Sequence, residues 1–396
     1  MRAAVAVPPV KRALAAALLV AGSLVVALLL GEIGLRVAGI AYPSFERVDD
    51  DRGAALRPGA SGRYTREGDA WVEIHADGRR DRPVARVKPE GVFRLAVLGD
   101  SYAEAREVDL DATFWAVAGR ELERCLGRKV EVLNFGASGY GTAQELQTLR
   151  TRVWEWSPDA VLVLFLPYND LRNNLRALER DPLKPYFVQR DGDLVLDDAF
   201  RREPAFLKRK SALWRLGYAL IDHSRVLQLL NEAKNARRAG AIASSQGGEA
   251  GLDDAPFLPN PPAPWDEAWA VTEAMLAAMH RESRDRGAAF WVATATVGAQ
   301  VDPDPAKREA TARRIGVPDL LEADRRVARL GEREGFPVVP LGGIFQENAT
   351  RRGTFLHGFP NTSPGAGHWN EAGHRLAGET IGGRGCAELR GSSDSS

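Results

Sequence analysis

Three short apolar stretches, each followed by a helical pattern, limit what this chain can fold into. Val92 to Leu98 runs into Gly99-Asp100-Ser101, and a helix is predicted around Ala112 to Leu126. Val130 to Leu133 runs into Asn134-Phe135-Gly136-Ala137-Ser138-Gly139, with a helix from about Ala143 to Trp156 stopped by Ser157-Pro158-Asp159. Ala160 to Leu166, wholly apolar, ends in Pro167-Tyr168-Asn169-Asp170. Strands that are apolar on both faces and alternate with helices describe a parallel sheet covered on both sides. The pattern returns with helices near Glu267–Arg286 and Leu320–Glu334 and strands at Ala289–Ala293 and Phe336–Val339. Ligands of such sheets bind beyond the carboxyl ends of the strands, where each polar motif above sits.

The N-terminus sets the expected compartment. Arg2, Lys11 and Arg12 precede an uncharged apolar run, Ala13 to Leu30, closed by Gly31-Glu32. At 1.5 Å per residue the run is about 27 Å long, close to the hydrocarbon core of a bilayer. The flanking positive charges favour a cytoplasmic N-terminus and place the chain after Arg36 on the far side. A cleaved signal peptide, with Gly39-Ile40-Ala41 as its site, and a buried core helix are the alternatives. Residues 1–38 are therefore expected to be a stub and membrane anchor, and 39–90 an extracytoplasmic extension containing a strand at Ala70–Ile74. Residues 91–388 are expected to be the main domain, with an insertion at about 172–264 and a disordered tail at 389–396. Within the insertion, Tyr186-Phe187-Val188 and Leu194-Val195-Leu196 flank Arg190-Asp191-Gly192-Asp193, a hairpin signal. Ala236 to Pro264 reads as loop or disorder.

Composition excludes several functions. Lys plus Arg and Asp plus Glu number 53 each, and no basic run is interleaved with aromatics, so no nucleic-acid partner is expected. The two cysteines, Cys125 and Cys386, lie in no Cys/His cluster, and no metal or cofactor is implied.

Ser101 stands where a strand turns into a helix, so its hydroxyl can project from the sheet edge as a nucleophile. Gly-Asp-Ser also makes an ordinary turn, and the surroundings lack the GxSxG elbow of α/β-hydrolases. Gly139 can present its backbone N–H to an oxyanion, and Asn169 can donate from its side chain, although both also suit ordinary turns. His368 can take the serine proton; His374, six residues on, falls within the final helix and is expected to be structural.

Together the four blocks, Gly99-Asp100-Ser101, Asn134 to Gly139, Asn169-Asp170, and His368 with Asn370 to His374, resemble those of the SGNH (GDSL-like) hydrolases. The resemblance covers about residues 92 to 385, and weaker similarity reaches back through Gly78-Arg79-Arg80-Asp81. It implies a three-layer αβα domain with a flavodoxin-like parallel sheet, here carried on an N-terminal transmembrane helix. It also implies Ser101 as nucleophile, His368 as base, and an oxyanion hole of the Ser101 and Gly139 amides with Asn169. An acyl ester, of a glycan or a lipid, would be the substrate. The family usually places an Asp three residues before the histidine, and here that residue is Gly365. A backbone carbonyl near Pro364–Ala366, or Asp100, Asp170 or Glu371, is left to replace it. Serine esterase, O-acyltransferase acting on a cell-surface or exported glycan, and non-catalytic binding protein are the functions in competition. The family's fold sets the first and last helices side by side, which makes a Cys125–Cys386 disulfide plausible outside the cytoplasm.

Overall fold

The computed structural model describes residues 9–179, 181–246 and 253–393. Two compact units are present: residues up to Pro43 with Ala212–Ser245, and Ser44–Ser211 with Gln246 onward.

In the larger unit five parallel strands form one sheet. Its spatial order is Val338–Pro340, Ala289–Thr294, Ala160–Phe165, Phe93–Gly99, Val130–Asn134. Numbered along the chain this is 2-1-3-4-5 from the opposite edge, the flavodoxin-like order. Alternation along each strand sorts the side chains into two cores. Leu95, Val97, Leu162 and Leu164 pack against the helices Phe114–Leu126, Leu341–Arg352 and Glu371–Ser393. Ala96, Leu98, Val161 and Val163 pack against Thr142–Thr151, Trp265–Asp285 and Glu322–Glu334. Arg94 interrupts the apolar pattern of its strand. It is buried at the end away from the serine, with Nε donating to Glu131 at 2.9 Å and Nη1 to the Trp156 carbonyl at 2.7 Å, so its charge is fully partnered.

The helices Phe114–Leu126 and Glu371–Ser393 approach closely because Gly378 and Gly382 face the first helix. A Cβ on Gly378 would stand 2.4 Å from the Val117 Cβ, and one on Gly382 would stand 2.5 Å from that of Glu121. Cys125 and Cys386 lie on these helices and form the disulfide, with Cα atoms 6.2 Å apart. Its ends are 261 residues apart, a loop for which the chain-entropy model gives about 5 kcal/mol. Mass analysis after non-reducing alkylation of the protein isolated from its producing cells should find neither cysteine alkylated. Reduction should lower the midpoint of thermal unfolding.

Several expected boundaries move. Residues 44–90 are not a spacer, since the larger unit begins at Ser44 and includes two antiparallel hairpins, Glu46–Asp49 with Gly53–Leu56 and Ser61–Tyr64 with Ala70–Glu73. Their apolar residues Phe45, Leu56, Val72 and Ile74 pack on Ala137 and Tyr140 of the motif after the second strand. The expected insertion divides: its first part, with the hairpin Tyr186–Arg190/Asp193–Asp197, belongs to the larger unit, and Ala212–Ser245 to the smaller one. Part of the expected loop at 236–264 is helical, because the helix Arg225–Gln246 continues through it on alanines and other good helix formers. The expected tail is also helical as far as Ser393. Residues 1–8, 247–252 and 394–396, on which parts of the expected stub, loop and tail fall, lie outside the described residues.

In the smaller unit the helix Pro9–Val37 holds the apolar run, and Ala13–Val37 is long and apolar enough to cross a membrane, with its side chains exposed.

Candidate active site

Ser101 opens a single helical turn, Ser101–Glu104, directly beyond the strand Phe93–Gly99. The long helix follows only at Phe114, so one turn and its cap set the serine. Asp100 supplies that cap: buried, it accepts from the Tyr102 N–H at 2.9 Å through Oδ1 and from Asn169 Nδ2 at 2.9 Å through Oδ2. Asp100 thus joins the first block to the third across the sheet's switch point, between the strands that end at Gly99 and Phe165. Asn169 lies in the helix Pro167–Asn174 and keeps a second amide hydrogen beyond the one given to Asp100.

Gly139 is exposed, at φ +77°, with open space where a Cβ would stand. Its loop is held from beneath by Glu104, whose Oε2 accepts from both the N–H and the hydroxyl of Ser138 at 2.7 Å. Gly136 lets the loop lie on the serine's turn, since a Cβ there would stand 2.4 Å from that of Ala103. Asn134 is structural: its side chain donates to the carbonyls of Arg80 and Ala103 and accepts from the Gly136 N–H.

His368 stands at the serine, with Nε2 2.8 Å from Ser101 Oγ. Asn370 caps the final helix, accepting from the N–H groups of Ala372 and Gly373 at 3.0 and 3.1 Å. His374 is buried elsewhere: its Nδ1 accepts from the Phe114 N–H at 3.3 Å, its ring stacks on Phe114, and burial pulls its pKa down to about 3. His357 carries no signal in the sequence; buried and lowered to about 4 by burial, it meets the Gly367 carbonyl at 2.9 Å and Thr296 at 3.0 Å. It helps to fix the backbone just before His368.

The carboxylate expected from Asp100, Asp170 or Glu371, or the carbonyl from Pro364–Ala366, comes from another place. Glu67, in the turn of the hairpin Ser61–Tyr64/Ala70–Glu73, meets His368 Nδ1 at 2.6 Å through Oε2 and accepts from the His368 backbone N–H at 2.6 Å through Oε1. Asp100 is taken up as a cap, and Asp170 accepts from the Leu166 N–H at 2.8 Å. Two glycines open the path for Glu67. A Cβ on Gly367 would stand 2.1 Å from Glu67 Oε1, and one on Gly68 the same distance from the Glu107 carbonyl oxygen; both residues have positive φ. Asn361 clamps the turn, donating to the carbonyls of Thr65 and Gly68 at 3.0 and 2.9 Å and accepting from the Gly68 N–H at 3.0 Å. The available signal in the sequence was Gly365-Ala366-Gly367 itself, a bare approach to the histidine that leaves room for an acid from outside the motif.

A second carboxylate, Glu107, lies 3.5 Å from Nδ1, buried, with one oxygen lacking any partner among the described residues. Burial pulls the His368 pKa down, but the charge of Glu107 and the hydrogen bond and charge of Glu67 outweigh it and push it up to about 9. Burial raises Glu67, and its bond to His368 more than offsets this, so its pKa is lowered. Glu107, with no such bond, is raised by burial. Glu67, Glu107 and His368 offer three ligand atoms within 4.8 Å of one another. A cation there would have to displace the proton that Nδ1 donates to Glu67.

No protein-family profile matches the chain, and no curated protein matches it. Solved structures similar to it include an acetyl xylan esterase, 10% identical over 74% of this chain and 99% of that one, with TM-score 0.38. Another is an acetylxylan esterase from Geobacillus stearothermophilus, 13% identical over 73% and 92%, with TM-score 0.37. A third is an α/β hydrolase from the metagenome of Lake Arreo, 13% identical over 74% and 95%, with TM-score 0.37. In this chain the strand order is 2-1-3-4-5, with the Ser, Gly and Asn blocks after the first three strands and the His block before the last helix. The fold is the flavodoxin-like αβα arrangement that the resemblance to the SGNH hydrolases implies.

Proposed function

We propose that this protein is a membrane-anchored serine esterase that cleaves acyl esters through a covalent Ser101 intermediate. The reading rests on one observation: Ser101 Oγ, the His368 ring and Glu67 form a continuous hydrogen-bonded chain, 2.8 Å and 2.6 Å long at its two links. Ser101 Oγ attacks the acyl carbonyl as its proton passes to His368 Nε2, and Glu67 holds the ring in the Nδ1–H tautomer and stabilises the imidazolium. The developing oxyanion is met by the N–H groups of Ser101 and Gly139 and by the second hydrogen on Asn169 Nδ2. The alcohol leaves with the proton from His368. Water, deprotonated in turn by His368, attacks the acyl carbonyl; the bond from the acyl carbon to Ser101 Oγ breaks, His368 returns the proton to Oγ, and the acid leaves. A sugar hydroxyl in place of water would give O-acyl transfer from the same intermediate, so the two reactions differ only in the acceptor. The non-catalytic reading depends on a missing acid, and Glu67 supplies one.

Placement at a membrane is supported by the exposed apolar helix Ala13–Val37 and by the positive residues before it in the sequence. The Cys125–Cys386 disulfide supports a catalytic unit outside the cytoplasm.

The test is a fluorophosphonate probe, which loses fluoride as it bonds to an activated serine oxygen. One adduct is expected, on Ser101, and an intact protein that does not react would refute the reading. Product analysis with an acetylated oligosaccharide and an acceptor sugar then separates hydrolysis from transfer. Asn169→Ala should lower kcat on short acyl esters by about 10²–10³, as loss of one oxyanion donor does. Steady-state kinetics check this, and an unchanged kcat would remove Asn169 from the oxyanion hole.

A further inference from the structure

The smaller unit carries an apolar surface that the esterase reading does not use. The helix Ala212–His223 sets Leu213, Leu216 and Leu220 along one edge at i, i+3 and i+7, with Trp214 about 100° round from Leu213 and Tyr218, Arg215 and Asp222 on the far side. The three leucines are 78, 57 and 56% exposed, values that ordinary packing in water would not leave on one helix face.

The depth of this helix relative to the anchor is fixed by polar contacts. Glu32 lies two residues beyond the end of the apolar run. Its carboxylate accepts from the N–H groups of Arg225 and Val226 at 3.0 and 3.2 Å and from the Ser224 hydroxyl at 3.0 Å. It thereby caps the helix Arg225–Gln246. Arg36 donates to the His223 carbonyl at 2.8 Å, and a Cβ on Gly31 would stand 3.5 Å from Val226. The junction between the two helices therefore meets the anchor at residues 31–36, where the apolar run gives way to charge.

We infer that the helix Ala212–His223 lies in the headgroup region of the same bilayer, its leucine edge turned into the lipid. This rests on the anchor reading above. Lipid is the occupant the geometry favours, because the exposed leucines begin at the level where the anchor leaves the hydrocarbon. Trp214, between the leucine edge and the far side, is a residue type that collects at that boundary. Arg215 and Arg225, of the same unit, suit anionic headgroups.

The test uses the full chain, with the native disulfide kept, reconstituted in vesicles of phosphatidylcholine and phosphatidylglycerol. Spin labels are placed one at a time through Leu28→Cys, Leu216→Cys, Leu220→Cys, Arg215→Cys and Asp193→Cys. Collision with oxygen and with a water-soluble nickel chelate reports depth. Leu28 should be deep. Leu216 and Leu220 should show an oxygen-to-nickel ratio severalfold above that of Asp193, and Arg215 should match Asp193. If Leu28 is deep while Leu216 and Leu220 behave like Asp193, the inference fails and the anchor stands. If Leu28 is itself aqueous, the anchor reading fails and takes the inference with it. Spin–spin broadening at Leu216 would assign the face to a second copy and overturn the lipid assignment.

Discussion

Ser101→Ala is expected to lower the hydrolysis of short acyl esters by on the order of 10⁶-fold, the loss seen when the nucleophile of a hydrogen-bonded triad is removed. Stability should change little. The hydroxyl is half-buried and bonds to His368, and the turn that holds it is capped by Asp100, which the substitution leaves in place. Thermal unfolding and steady-state kinetics on the same preparation separate the two effects. Turnover at the wild-type rate in Ser101→Ala would place the chemistry elsewhere.

Glu67→Gln is expected to lower kcat by about 10⁴, the effect of exchanging the carboxylate of such a triad for an amide. Both Glu67 oxygens accept, one from the His368 ring and one from its backbone N–H. An amide can accept at only one of these, so a donor must then face a donor. The pH dependence distinguishes loss of the charge from simple misfolding. The base must be neutral, and its pKa is pushed up to about 9, so wild-type kcat/KM should rise with pH until about 9. Removing the Glu67 charge lowers that pKa and moves the rising limb to lower pH, while Glu107 still opposes part of the shift. A variant that is slower at every pH with its limb unmoved would reduce Glu67 to a structural part of the loop.

The serine and the histidine were legible because each is tied to a local pattern. Ser101 ends an apolar strand, and His368 lies two residues before Asn370, the cap of the final helix. The choice of His368 over His374 follows from the same register, since one precedes the helix and the other is inside it, buried against Phe114. The supporting residues were less legible. Arg80, whose Nη1 and Nη2 donate to the carbonyls of Glu104 and Val108 at 2.7 Å, lies in the weakly similar Gly78-Arg79-Arg80-Asp81, and nothing local in the sequence points to those partners.

The sequence by itself determined the parallel sheet, the strand ends at which the Ser, Gly and Asn blocks lie, and the start of the final helix that the His block precedes, because strand and helix periodicities are properties of neighbouring residues. Only the tertiary structure decided the acid. Glu67 lies 301 residues from His368 in a hairpin turn, where no periodicity constrains the side chain. Packing of that hairpin, the Asn361 clamp and the space left by Gly367 bring its carboxylate to the imidazole. Such a contact depends on where separate segments meet in space, and a local pattern does not encode that.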